Sequence, residues 1–390
     1  MQYHHGKTIK EHRIAKKMTL AQLASKWPSK EIGVNIRYVQ DVEAGNKQIV
    51  NMETLRKLAS LLDIPLWKLG LSEYDPFHEK DILLHPFIDM NSLFELIENI
   101  WYIRLNMPSD ITEKKIISLS NTFNNLVKDN SRLLKNSDFL VLYAQVKRLQ
   151  EVVYTEQHNY EMSLKCSLDM LDLAKQSGDT VSECLAMTRI GVELLRNEDR
   201  NALDYLEQAR DLSFSTASKE VAAYSYSFLA RGYATFGDEK RFLQAVNTAI
   251  ALADNMKGLP VVTKDYVFHA FSAVLEEKSN GLISLGRGKD ALNELCEIDL
   301  EIAKEGNTYL KMWMPLDYAQ SFTLMGEIET SVKWLEIFYA SIKDFKSARL
   351  HSTVEKHLSL LEESGYANLS AVKSFKDKYH EEVNNNLSSK

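Results

Sequence analysis

From about residue 87 onward, apolar residues recur at spacings of three and four, with breaks every 15 to 20 residues or so. That period belongs to helices showing one face to a core, and the regular breaks predict antiparallel helix pairs. The first seventy residues carry the same period in shorter runs, which predicts five short helices. The first covers about Lys7 to Lys17, with Ile9 and Ile14 inward. The second begins at Thr19, where Thr19 and Gln22 form a T-x-x-Q capping box and Leu20, Leu23 and Ala24 form the stripe. The third is GVNIRYVQDVEAG, Gly33 to Gly45, with Asn35 as N-cap, Val34, Val39 and Val42 inward, and Tyr38 half-buried. The fourth starts at Asn51 and carries Leu55, Leu58, Ala59 and Leu62, and Pro65 launches a short fifth. Residues 72–86, SEYDPFHEKDILLHP, mix acids, His and two of the seven prolines and read as a linker. The expected organisation is all-α: a five-helix unit at 1–71, the linker, and a helical repeat unit at 87–385.

One helix pair fits the tetratricopeptide pattern, with Tyr226, Leu229, Ala230, Tyr233 and Gly237 at its knob and turn positions and Val246 and Ala249 following. Weaker copies are anchored at Asn197 (Ala202, Leu206, Ala209), Gly286 (Ala291, Leu295, Ile298) and Gly326 (Leu335, Phe338). These turns lie 40, 49 and 40 residues apart, against about 34 in the standard repeat, which predicts lengthened helices. A tetratricopeptide-like α-solenoid is therefore expected over roughly 138–365, with 87–137 helical but poorly matched. In such a stack the first helix of each pair lines a concave face. The positions beside the knobs are Tyr224, Ser227 and Arg231, then Glu276, Asn280 and Ser284, then Trp313 and Gln320. Amide side chains there can pair with a peptide main chain, and an Arg can clamp a carboxylate.

Composition changes the picture in three ways. Gly (15) and Pro (7) are scarce, as long helices require. The net charge of −7 divides unevenly: residues 1–72 hold 12 Lys or Arg against six acids, and the remainder holds 35 against 48. A basic head on an acidic body suits an anionic partner for the head. The cysteines Cys166, Cys184 and Cys296 lack paired spacing and fall in apolar helical patterns, so buried reduced thiols are expected. No apolar run is long enough to span a membrane and no secretory signal is visible at the N-terminus, so a cytoplasmic protein is expected.

The stretches GKTIKEHRIAKKMTLAQLA, GVNIRYVQDVEAG and NMETLRKLASLLDIPLWKLGL together resemble the Cro/repressor-type helix-turn-helix family over residues 6–71. The shared points are Gly6, Ile9 and Arg13, the run Thr19 to Ala24, the G-V…Y-V…V-E-x-G of the third helix and the E-T-L-x-K-L-A of the fourth. In that family the third helix enters the major groove of DNA. The resemblance implies that Asn35, Ile36, Arg37, Gln40 and Asp41 face base edges, and that Thr19, Gln22 and Lys47 hold phosphates. Two departures stand out. The segment PSKEI, residues 28–32, adds about five residues before the third helix and predicts an unusual setting of the two helices. Asp41 would also sit unfavourably beside phosphates.

A Cro-type head on a repeat body of this length resembles the RRNPP receptors of Gram-positive bacteria and their phages and plasmids. That resemblance implies a homodimeric transcription regulator that binds a double-stranded operator and is gated by a short signalling peptide. Two other classes fit the same residues: a peptide-insensitive prophage or plasmid-type repressor, and a helical adaptor sequestering a protein partner. No catalytic chemistry, metal or cofactor is expected. Gly281 to Gly286 has phosphate-loop spacing but is followed by Arg287-Gly288 and preceded by a helix. His4, His5 and His12 lack further ligand spacing, and no nucleophile–base signature is present.

Overall fold

The computed structural model describes residues 5–28, 33–49, 51–64, 66–69, 71, 90–106, 109–259, 267, 269–343 and 347–388. Two compact units emerge, Met1–Ile88 and Asp89–Lys390. The expected linker at 72–86 and most of PSKEI lie outside the described residues.

The first unit holds α1 (His5–Ala15), α2 (Leu20–Ser25), α3 (Ile36–Glu43) and α4 (Met52–Leu62), followed by a 3-10 turn at Leu66–Leu69. Ile9, Leu23, Ala24, Trp27, Val39, Val42, Leu55, Leu58 and Leu62 make its core. Each fully buried aliphatic side chain of this kind contributes roughly 1.5–3 kcal/mol. Ile14, expected inward, is 56% exposed. One helical turn beyond Ile9 the inward place falls to Arg13, and Ile14 stands a further 100° round the helix.

The second unit opens with α5 (Met90–Asn106) and α6 (Ser109–Asp129). Six antiparallel pairs follow: α7 (Ser137–Glu156) with α8 (Tyr160–Ser177), α9 (Thr180–Leu195) with α10 (Asn201–Ser213), and α11 (Lys219–Thr235) with α12 (Glu239–Leu252). The next are α13 (Phe271–Ser284) with α14 (Gly288–Glu305), α15 (Thr308–Leu324) with α16 (Ile328–Ile342), and α17 (Ala348–Leu361) with α18 (Ser370–Ser388). Each pair turns on one residue in the left-handed region: His158, Glu198, Gly237, Gly286, Gly326 and Gly365, with φ between 53° and 88°. The pairs therefore begin at Ser137, near the expected start, and run one helix beyond residue 365.

The turns at Gly237 and Gly286 lie nine residues further apart than the 40 of the next pair. The two flanking helices do not carry the excess, since α12 and α13 have 14 residues each. Between them Val267 is fully buried in the core of the stack. Gly281 is helical, and a Cβ there would lie 2.1 Å from Phe242 Cε2, so the glycine admits close approach of α13 to α12. The Gly281 to Gly286 spacing thus records packing and a turn.

Of the cysteines, Cys166 and Cys184 are buried as expected, and burial pushes each thiol up to about 11. Cys296 is exposed, which corrects the expectation for that residue. Among the described residues no helix is long and apolar enough to cross a membrane, and no group of three or more His, Cys, Asp or Glu could hold a metal ion.

Candidate functional site

In the first unit the geometry is set by α3. Asn35 caps it, its Oδ1 accepting from the Arg37 backbone N–H at 2.9 Å. Val39 and Val42 are buried, while Val34 is half-buried. Opposite them Asn35, Ile36, Arg37 and Gln40 are exposed, and Ile36 shows 44% of its surface. Tyr38 is half-buried, its ring edge-on to Trp27 at 5.5 Å.

Two features fix α3 rigidly. Arg13 on α1 grips Glu43 at its C-terminal end in a fork, Nε to Oε1 at 2.6 Å and Nη2 to Oε2 at 2.8 Å, and Nη1 donates to the Met18 carbonyl. Both side chains are nearly buried, at 11% and 6% exposure. Ahead of α3, Gly33 has φ +74°, and a Cβ there would lie 2.4 Å from the Ala24 carbonyl oxygen. The next residue, Val34, donates its N–H to that same oxygen at 2.8 Å. The longer connection therefore still closes against the end of α2.

The other expected contacts are placed less openly. Asp41 is half-buried, its carboxylate 3.7 Å from Lys47 Nζ, so part of its charge is answered within the protein. Lys47 Nζ also lies 5.1 Å from the centre of the Tyr38 ring. Thr19 and Gln22 form the expected capping box: Gln22 N–H donates to Thr19 Oγ1 at 3.2 Å and Thr19 N–H to Gln22 Oε1 at 2.8 Å. That box consumes two backbone donors and leaves the Thr19 hydroxyl and the Gln22 amide N–H groups as exposed donors.

In the second unit the first helices of successive pairs, α9, α11, α13 and α15, pack against one another. They form an inner layer crossed by ion pairs. Arg189 on α9 reaches Glu151 on α7, Nη2 to Oε1 at 2.6 Å and Nε to Oε2 at 3.2 Å. Burial favours the neutral acid, but Arg189 overrides it and holds Glu151 down to about 2. Arg231 on α11 grips Glu277 on α13 with two bonds, one of them 2.8 Å. Arg349 on α17 meets Glu156 on α7 at 3.1 Å, which brings the sixth pair against the first.

The residues expected beside the knobs divide accordingly. Arg231, Glu276, Asn280, Trp313 and Gln320 are partly exposed along this inner layer, with Arg231 at 36% of its side chain. Tyr224 and Ser227 are not open: they are 3% and 0% exposed. The Ser227 hydroxyl turns back to the Tyr224 carbonyl, and His269 from the long connection lies edge-on to the Tyr224 ring at 5.2 Å. Ser284 is exposed but donates to the Asn280 carbonyl at the end of α13. Trp313 is partly taken up by Arg349, whose guanidinium lies 4.8 Å from its ring centre.

Sequence reasoning overlooked Arg148, Glu151, Arg189, Glu277 and Asp317. Arg148, 4% exposed, donates to the Tyr224 hydroxyl at 3.3 Å and to the Val267 carbonyl at 3.1 Å. All five are charged residues inside helices, and the available signal was their recurrence at apolar-stripe positions.

A model of the helix-turn-helix family matches residues 9–66. No curated protein matches the chain by sequence. Among solved structures the chain is similar to PlcR of Bacillus thuringiensis in complex with the peptide PapR7 and DNA, at 13% identity and TM-score 0.41, over 90% of this chain and 98% of that one. It is also similar to the apo form of the competence regulator ComR from Streptococcus vestibularis, at 12% identity and TM-score 0.33, over 91% and 97%. The head is a helix-turn-helix domain, and the chain as a whole is an all-α protein of such a head followed by helical repeats.

Proposed function

We propose that this chain is a transcription regulator whose α3 reads DNA in the major groove and whose repeat layer binds a short extended peptide that controls that reading. The observation that carries the proposal is the exposed face Asn35, Ile36, Arg37 and Gln40, held by the buried Arg13–Glu43 fork. Arg37 suits the O6/N7 pair of a guanine, and the amide of Gln40 suits an adenine edge. Asp41 accepts from a cytosine amino group, while Thr19, Gln22 and Lys47 orient the head on phosphates.

The peptide part rests on the inner layer. Arg231, Glu276, Asn280, Trp313 and Gln320 offer charge, amide and aromatic groups along one row of helices. Tyr224, Ser227 and Ser284 support that row from beneath and from its end. The protein acts as a homodimer, whose heads meet half-sites about 34–36 Å apart, one turn of the duplex. Peptide in the layer shifts the repeat unit between two settings and so changes the spacing of the heads.

Fluorescence anisotropy on the duplex flanking the chain's own gene tests both parts, with and without a synthetic pool of short peptides. Binding that weakens steeply with salt supports the head reading. A shift in affinity or sedimentation on adding the pool supports the peptide reading. Absence of DNA binding sinks the first, and indifference to every peptide fraction sinks the second.

A further inference from the structure

The inner layer is not electrically balanced along its length. Where α11, α13 and α15 meet, Arg231 stands among Glu276, Glu277 and Asp317. Arg231 gives both arms of its guanidinium to Glu277, which is 2% exposed. Glu276 feels Arg231 and, more weakly, the neighbouring Asn280 side chain and Arg349, which is itself paired with Glu156. Asp317 reaches the same place from a different helix. It is 4% exposed, its Oδ2 has no hydrogen-bond partner, and its charge is repelled by both Glu276 and Glu277.

A buried carboxylate oxygen without a donor is a poor arrangement for stability alone. The arrangement makes sense if a positive group arrives from outside. Until then the site answers its own repulsion with protons: burial and neighbouring acids push Glu276 up to about 7 and Asp317 well above the ordinary carboxylate range.

The geometry points to a subsite for a cationic group of the peptide, an ammonium or guanidinium held by Glu276 and Asp317 beside the Arg231–Glu277 pair. The inference rests on the peptide-binding reading and specifies the ligand's chemistry: a lysine or arginine side chain, or a free amino terminus. The incoming cation takes the place of the retained protons as counter-charge. Arg231, committed to Glu277, holds the third carboxylate in place and keeps it from closing over the other two.

The test uses the full chain, immobilised, and three synthetic hexapeptide pools matched in every other respect. One is amino-acetylated and contains Lys and Arg, one has free amino termini with Gln in their place, and one is acetylated with neither. Retention is quantified by mass spectrometry. The pool lacking any positive group is expected to be retained at least about tenfold less than one or both of the others, and the stronger of those identifies the source. Glu276→Gln and Asp317→Asn should each abolish that difference while still retaining peptide, and each should melt at or above the temperature of the unaltered chain. Equal retention of the uncharged pool overturns the inference while leaving the peptide-binding reading intact. So does a lower melting temperature in both variants, which would make the carboxylates internal struts. Retention of no pool at all overturns the peptide-binding reading, and this inference with it.

Discussion

The head and the repeat unit use buried charge in opposite ways. In the head one ion pair, Arg13–Glu43, lies at the edge of an apolar core and pins a single helix. In the repeat unit the charges run through the inner layer, from Glu151 and Arg189 to Arg231, Glu277 and Asp317, and they do not cancel locally. A complete fork whose third nitrogen also donates to the Met18 carbonyl is a fixture. An orphaned Asp317 oxygen beside two further acids is a vacancy for a partner. The lesson is that burial of charge alone does not say whether a group is structural; the completeness of its bonding does.

Breaking the fixture should have the largest effect. Glu43→Ala leaves Arg13 nearly buried without its partner and should cost the head about 3–5 kcal/mol. Calorimetry should show the head's transition falling while that of the repeat unit stays in place. Gly33→Ala comes next. Its left-handed φ and the overlap with the Ala24 carbonyl should cost about 2–3 kcal/mol, again confined to the head. If either variant lowers both transitions equally, the two units do not melt as separate structures.

The third variant moves in the other direction. Glu276 has its folded pKa raised to about 7 from an ordinary value of 4.5. Between those values the folded chain holds a proton that the unfolded chain has released, so stability falls as pH rises through that window. Glu276→Gln removes this cost. It should be more stable than the unaltered chain above pH 7, by roughly 1–2 kcal/mol after allowing for Arg231 and solvent, and the gain should vanish towards pH 4.5. Denaturant melts at the two ends of the range check it, and a variant that is less stable at both ends contradicts the contrast.

Most of the architecture was legible because its punctuation was. Gly237, Gly286 and Gly326 announced their turns, and Asn35 and the Thr19–Gln22 box announced theirs. The first pair lay inside the expected span but had no repeat match of its own, because its turn residue is His158, in the left-handed region without the glycine that would mark it. Glu198 serves the same role one residue after the expected Asn197. The reading face of α3 could be placed from periodicity, but the fork that holds it joins residues 30 apart, and spacing within one helix cannot reveal it. Tyr224 and Ser227 were expected to be open because they flank the knob positions on the first helix of a pair. His269 instead lies against the Tyr224 ring, and the Ser227 hydroxyl turns back to the Tyr224 carbonyl. Charged residues at stripe positions, such as Glu151 and Arg189, are invisible to a search for apolar periodicity.

The central claim is that α3 presents Arg37 to DNA, and Arg37→Ala tests it most directly. The substitution removes an exposed side chain, so the melting temperature should not move. Fluorescence anisotropy on the duplex flanking the gene should show binding weakened by about 1–3 kcal/mol, roughly fivefold to 150-fold, with relaxed preference at one base pair. Unchanged affinity and preference, with the fold intact, would contradict the account.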